Sequence, residues 1–155
     1  MTTIAYKDGI MAGDGQCTWS GTKICKTDKK VFEINLGKRT TLIGMAGDVS
    51  HCHEFLDWFK KGAVLEQKPK FEEDFEDFIA LVVKDPGTEK EAIVTYMQNS
   101  SYPCNVDIQY FAIGSGTEYA LGAMYAGASA IEAVECAIML DVNTGGEITH
   151  VGKEK

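Results

Sequence analysis

In the first fifty residues, apolar and polar positions alternate in short runs set off by turn residues, the signature of strands. Residues 2–7 read as a strand with Thr2, Ile4 and Tyr6 on one face. Asp8-Gly9 is a strong two-residue hairpin signal. Residues 10–12 then return antiparallel and carry Gly13-Asp14-Gly15 back towards the start of the first strand. Residues 16–28 are polar and broken by Gly21, and read as a surface segment. Residues 30–34 alternate as a third strand, Leu36-Gly37-Lys38 turns it, and residues 40–46 return as a fourth. Asp48 is a good N-cap for a helix running to about residue 61, with Cys52, Phe55, Leu56 and Phe59 on its inner face and Gly62 at its end.

The second half holds further helices and strands. Phe71, Phe75 and Phe78 stand at i, i+4 and i+7, which predicts a short second helix. Residues 79–84 and 92–97 read as strands joined by a turn at Pro86-Gly87, residues 99–105 as a loop, and residues 106–113 as a further strand. A helix rich in small residues is expected over 117–126, closed by Gly127. Ser129-Ala130-Ile131-Glu132 has capping-box spacing and starts another through Leu140. A last strand covers 147–151. Strands, helices, strands, helices, strand is an α+β order. It fits a four-layer αββα sandwich, two antiparallel sheets face to face with helices outside. The 155 residues make one domain, 1–155, with a real core.

That layout gathers a candidate chemistry at one end. Removal of Met1, which a small second residue permits, leaves Thr2 with a hydroxyl and a free α-amine whose ordinary pKa is about 7.7–8.0. Such an amine can act as general base for its own hydroxyl. The pair needs a cation to keep the amine neutral and polarise the hydroxyl, and a carboxylate to hold that cation. The hairpin brings Asp14 opposite Thr2. Lys30 opens its strand on the same face as Phe32 and Ile34, where a Lys seldom stands without a partner; the other reading is an edge Lys reaching water.

Bulk properties narrow the partners. The formal net charge is −8, from 15 basic and 23 acidic residues, which opposes a nucleic-acid partner. No apolar run approaches a membrane span and no signal-peptide pattern opens the chain. The five cysteines, Cys17, Cys25, Cys52, Cys104 and Cys136, are odd in number and lack a C-x-x-C pair, so reduced thiols in a cytoplasm are expected. His51-Cys52-His53 cannot converge on a metal from adjacent helix positions. No cofactor motif is present.

Several motifs in order resemble the proteasome β-subunit family, including its HslV branch. Met-Thr-Thr-Ile with Gly13-Asp14-Gly15-Gln16 is similar to the HslV-type opening. Residues 29–34 resemble the family's lysine strand, and Ile43-Gly44-Met45-Ala46-Gly47-Asp48 its oxyanion turn. Ile113-Gly114-Ser115-Gly116 resembles its serine turn. Asp141-x-x-Thr144-Gly145-Gly146 resembles the proteasomal Asp-x-x-Ser-Gly-Gly, with Thr in place of Ser. The resemblance spans nearly the whole chain, with a shortened second helix and almost no tail. It implies an N-terminal-nucleophile hydrolase fold and a threonine-type peptidase. Thr2 would be the nucleophile, Asp14 and Lys30 its ion pair, and the Gly44 amide the oxyanion donor. Ser115, Asp141 and Thr144 would hydrogen-bond around the amine and position water. Cys17, Asp28, Phe32 and Leu42 would line the primary pocket. Implied partners are a peptide or unfolded protein as substrate, further copies of the chain as a homo-oligomer, and an ATPase unfoldase. Two rival readings keep the fold: hydrolysis of a small amide, and a non-catalytic structural homologue that retains Met1.

Overall fold

The structure is a computed structural model and describes residues 2–70, 78–98 and 102–154. Two antiparallel sheets lie face to face. The first has the order β10-β1-β2-β11, from β1 (Thr3–Lys7), β2 (Ile10–Gly13), β10 (Tyr110–Gly114) and β11 (Thr149–Gly152). The second is a five-stranded sheet in chain order: β5 (Val31–Leu36), β6 (Arg39–Ala46), β7 (Ile79–Lys84), β8 (Ala92–Met97) and β9 (Cys104–Val106). Helix α1 (Val49–Lys60) covers the outer face of the second sheet. Helices α2 (Thr117–Tyr125) and α3 (Ala130–Leu140) cover that of the first. This is the αββα arrangement expected from the order of elements.

Strand alternation divides the core into three layers. Between the sheets lie Ile4, Tyr6, Met11, Val31, Leu42, Leu81 and Val83. The alternate residues of the second sheet, Ile43, Met45, Ala80, Val82 and Val94, meet α1 in an aromatic cluster. There the Phe55 ring lies 5.3 Å from both the Phe78 and Tyr96 rings, tilted against each. The first sheet turns Ala5, Ala12 and Ala112 towards Ala120, Ala130 and Ala133 of the helices. Alanines on both sides let helix and sheet backbones approach closely.

The turns follow their residue types. Asp8 and Gly9 both take positive φ, 48° and 87°, as a two-residue hairpin requires. Asp48 caps α1 by accepting from the Ser50 N–H at 2.8 Å. Ser129 and Glu132 close a full capping box on α3.

Four expectations are revised. Residues 16–28 contain a hairpin, β3 (Cys17–Trp19) and β4 (Thr22–Cys25), turned by Ser20 and Gly21 at φ 50° and 78°. Trp19 and Ile24 are exposed there, so the hairpin has no buried face to produce a legible pattern. The strand expected over 106–113 is two strands in different sheets, with residues 107–109 crossing between. Cys104 and Asn105, expected in a loop, pair with Thr95 and Val94. The last strand begins two residues late, at Thr149. The helix expected at Phe71, Phe75 and Phe78 falls largely on residues 71–77, outside the described residues. Phe78 itself is fully buried under α1.

Gly44 lies within β6, two residues from its end, paired with Val31 on one side and Leu81 on the other. A Cβ there would stand 2.4 Å from Ile4 Cγ2 and 2.9 Å from Met11 Sδ, both on the opposing sheet. Ile4 is β-branched and cannot swing clear. Gly44→Ala is therefore expected to cost about 1–3 kcal/mol as overpacking. A lower urea midpoint with unchanged slope would show it, and a wild-type midpoint would mean that the sheets are not held this close.

Candidate active site

The site stands where β1 begins, at the end of the sandwich away from the Asp8-Gly9 turn. Lys30 precedes β5, on the side of Phe32, and its ammonium reaches across to Thr2. The Lys30 Nζ donates to Thr2 Oγ1 at 2.6 Å, to Asp14 Oδ1 at 3.0 Å and to the Gln16 carbonyl at 2.6 Å. Asp14 has no exposed surface and Lys30 very little. A buried pair of this kind persists only if its remaining lone pairs are used. Here Thr3 N–H donates to Asp14 Oδ1 at 3.0 Å and Gly145 N–H to Oδ2 at 3.1 Å. A Cβ on Gly145 would lie 2.5 Å from Gln16 Oε1.

A second network holds the Thr2 backbone and the Thr3 side chain. Ser115 N–H donates to the Thr2 carbonyl at 2.8 Å, and Ser115 Oγ donates to Asp141 Oδ2 at 2.6 Å. Thr144 Oγ1 donates to the same carboxylate oxygen at 2.5 Å and lies 2.7 Å from Thr3 Oγ1. Asn143 N–H completes the shell on Asp141 Oδ1 at 3.1 Å. Burial pushes the Asp141 carboxyl up, but the bonds from Ser115, Thr144 and Asn143 outweigh it and hold the group below the usual carboxylate range.

Thr2, Asp14, Lys30, Ser115, Asp141 and Thr144 are thus brought together. Ser115 and Thr144 act through the Thr2 carbonyl and the Thr3 hydroxyl. Of the four expected pocket residues, Asp28 and Phe32 line one cleft at Thr2, and Cys17 with Asp28 lines another. Two expected residues lie elsewhere. Leu42 is fully buried between the sheets. Gly44 is committed to the ladder, with its Cα facing the inter-sheet core, and it lines none of the clefts at Thr2. The glycine that does line them is Gly47, three residues on, at φ 128° between β6 and the Asp48 cap.

Sequence reasoning missed Thr3, Gly145 and Gly47. The hairpin register carried a signal for Thr3. Residue 3 lies opposite the return strand, so its backbone meets residue 14, and Asp14 N–H does donate to the Thr3 carbonyl at 3.2 Å.

Asp141 gives a pH-dependent prediction. Its folded-state pKa lies below the unfolded value, so its stabilisation is present above about pH 4. It is lost as pH falls towards the folded value. Asp141→Asn should be less stable than wild type at neutral pH, and the gap should close at acid pH. Thermal unfolding across the range tests this; a constant gap would show that the carboxylate charge contributes nothing.

No family model matches the sequence, and no curated protein matches it. Solved structures do match. The eukaryotic HslV of Trypanosoma brucei aligns over 99% of this chain and 99% of its own, with a TM-score of 0.69 and 16% identity. A Gly-1 mutant of Anbu, the ancestral beta-subunit, from Hyphomicrobium sp. strain MC1 aligns over 99% and 82%, with a TM-score of 0.73 and 13% identity. The BPH protein of Thiobacillus denitrificans aligns over 99% and 97%, with a TM-score of 0.61 and 21% identity. At these identities the likeness is one of fold: the chain has the sandwich of HslV and Anbu, the N-terminal-nucleophile hydrolase fold.

Proposed function

We propose that the chain is an amide hydrolase whose nucleophile is Thr2, exposed as the N-terminal residue once Met1 is removed. Peptide bonds are the substrate class put forward, in keeping with a threonine-type peptidase. The observation that carries the reading is the 2.6 Å contact between Lys30 Nζ and Thr2 Oγ1, with Asp14 buried behind it. An ammonium at that distance favours the alkoxide that attack requires, and discourages protonation of an amine on the adjoining carbon.

The chemistry balances without a cofactor. Thr2 Oγ attacks the amide carbonyl while its proton passes to the free amine of Thr2. The C–N bond breaks, the leaving amine takes that proton, and an ester remains on Oγ. Water adds to the ester, a carboxylic acid departs, and the hydroxyl is restored. The developing oxyanion needs a backbone donor at the cleft, and Gly47 is assigned that role in place of Gly44. One such donor is typically worth about 10²–10³ in rate. Ser115, Asp141 and Thr144 hold the strand end that presents the amine and position the attacking water.

A second reading is a non-catalytic homologue that retains Met1. The nitrogen of Thr2 is then part of a peptide bond and has no basicity, whatever its surroundings. Hydrolysis of a small amide uses the same residues and differs only in what fills the clefts. Self-association and an ATPase unfoldase partner are proposed on the resemblance to the HslV branch alone; size in solution tests the former.

Intact mass determines whether Met1 is lost. For the processed protein, turnover of a fluorogenic peptide mixture should fall by at least about 10² in Thr2→Ala, and Thr2→Ser should retain part of it. Equal turnover by wild type and Thr2→Ala removes the peptidase reading. Retained Met1 with no turnover favours the structural homologue.

A further inference from the structure

Clefts of unequal size meet at Thr2. One lies between the outer face of β5 and β6 and the first turns of α1. Its wall is apolar, from Phe32, Met45 and Leu56, with Asp28 and the exposed His53 beside them, and its volume is about 70 Å³. Another opens towards β10 and the ends of β7 and β8. It is bounded by Ala46, Phe78, Ile79, Met97, Phe111 and Ile113, and holds about 500 Å³. Thr2 and Gly47 line both. A third cleft of about 370 Å³, beneath the β3–β4 hairpin, is also lined by Thr2 and Gly47 and mixes polar groups such as Gln16, Thr18 and Asp28 with the apolar Trp19, Ile24 and Val49.

Volume decides what each can take. A dry cavity of about 150 Å³ accepts a benzene ring. The first cleft has about half that room, 70 Å³, so a methyl, hydroxymethyl or isopropyl group fits and an aromatic ring does not. Its floor cannot readily yield, because Leu56 and Met45 are packed into the aromatic cluster under α1. The 500 Å³ cleft has room for a ring and offers it a largely apolar lining.

Resting on the amide-hydrolase reading above, we infer that the substrate is a peptide-like chain with a small side chain on one side of the reacting amide and a bulky apolar one on the other. The small side chain enters beside Phe32 and Leu56, which set its size limit. The bulky one lies against Met97 and Phe111. Thr2 lines both of these clefts, which are more apolar than the third, so a chain whose reacting carbonyl lies over Oγ1 places its two flanking apolar side chains one in each.

Binding to Thr2→Ala protein reads this apart from turnover. The probes are acetyl-capped, amidated tetrapeptides with glycine at both ends and a central pair Ala-Ala, Ala-Phe, Phe-Ala or Phe-Phe, titrated by NMR. One mixed peptide should bind at least about tenfold tighter than both Ala-Ala and Phe-Phe, the scale on which an apolar pocket discriminates size. Which mixed peptide wins gives the direction of the chain. Phe32→Ala in the same background should bring Phe-Phe close to that best peptide, and Phe111→Asp should remove the advantage of the mixed one. Phe-Phe binding as tightly as either mixed peptide, or four equal affinities, overturns the inference even if no variant folds. Selective binding without cleavage by the processed wild type would overturn the hydrolase reading and leave the cleft assignment standing. Cleavage without selectivity would do the reverse.

Discussion

The buried contact between Lys30 and Asp14 constrains everything around it. Removing two charges from water costs several kcal/mol per ion, and their attraction repays this only with good geometry and further hydrogen bonds. Those bonds come from far along the chain. The Thr3 and Gly145 amides serve the carboxylate, and the Gln16 carbonyl and Thr2 hydroxyl serve the ammonium. Three parts of the chain must therefore converge: the β1–β2 hairpin, the lead into β5 and the Thr144-Gly145-Gly146 turn. A hydrophobic pair of the same size would hold the strands with less cost. A charge pair placed here costs stability and supplies a field at Thr2 Oγ1.

The two helix layers meet different needs. Under α1 the packing is aromatic and thick, with Phe55 against Trp58, Phe78 and Tyr96, and Trp58 against Tyr96. Under α2 and α3 it is made largely of alanines and is thin. The thin layer allows the loop after α3 to descend to the sheet and put Thr144 against Thr3. The thick layer leaves the apolar wall on which the small cleft is built. Packing chemistry thus differs on the two outer faces, aromatic under α1 and alanine-rich under α2 and α3.

What the sequence made legible was whatever carries a local signature. The Asp8-Gly9 turn, the Asp48 cap, the capping box at Ser129 and the apolar runs of β6 and β7 each depend on residues a few positions apart. The hairpin argument also placed Asp14 opposite Thr2, because register propagates along a paired strand. The β3–β4 hairpin was not legible, since Trp19 and Ile24 project into solvent and leave no apolar face. The break between β9 and β10 was hidden because residues 107–109 carry no Gly or Pro. Gly44 and Gly47 show a subtler limit. Both are glycines near one strand end, and only the pairing register reveals that the former is spent on Ile4 while the latter borders the clefts. Leu42 went the same way: its parity on β6 sends it between the sheets.

Asp141 stands where helix stability alone would not put it. It is the C-cap of α3, at the negative end of the dipole, and the last turn of that helix has no basic residue. A carboxylate there typically costs about 0.3–1 kcal/mol. Ser115 and Thr144 offset that cost through hydroxyls aimed at one oxygen, and Asn143 N–H occupies the other. Through them the carboxylate grips the Thr2 carbonyl by way of Ser115 and the Thr3 hydroxyl by way of Thr144. Thr3 is further held at its amide by Asp14 and at its carbonyl by the Asp14 N–H. The strand end is thus fixed at its carbonyls, its second amide and both threonine hydroxyls. A segment pinned in this way keeps Thr2 Oγ1 beside the Lys30 ammonium without an additional residue to orient it.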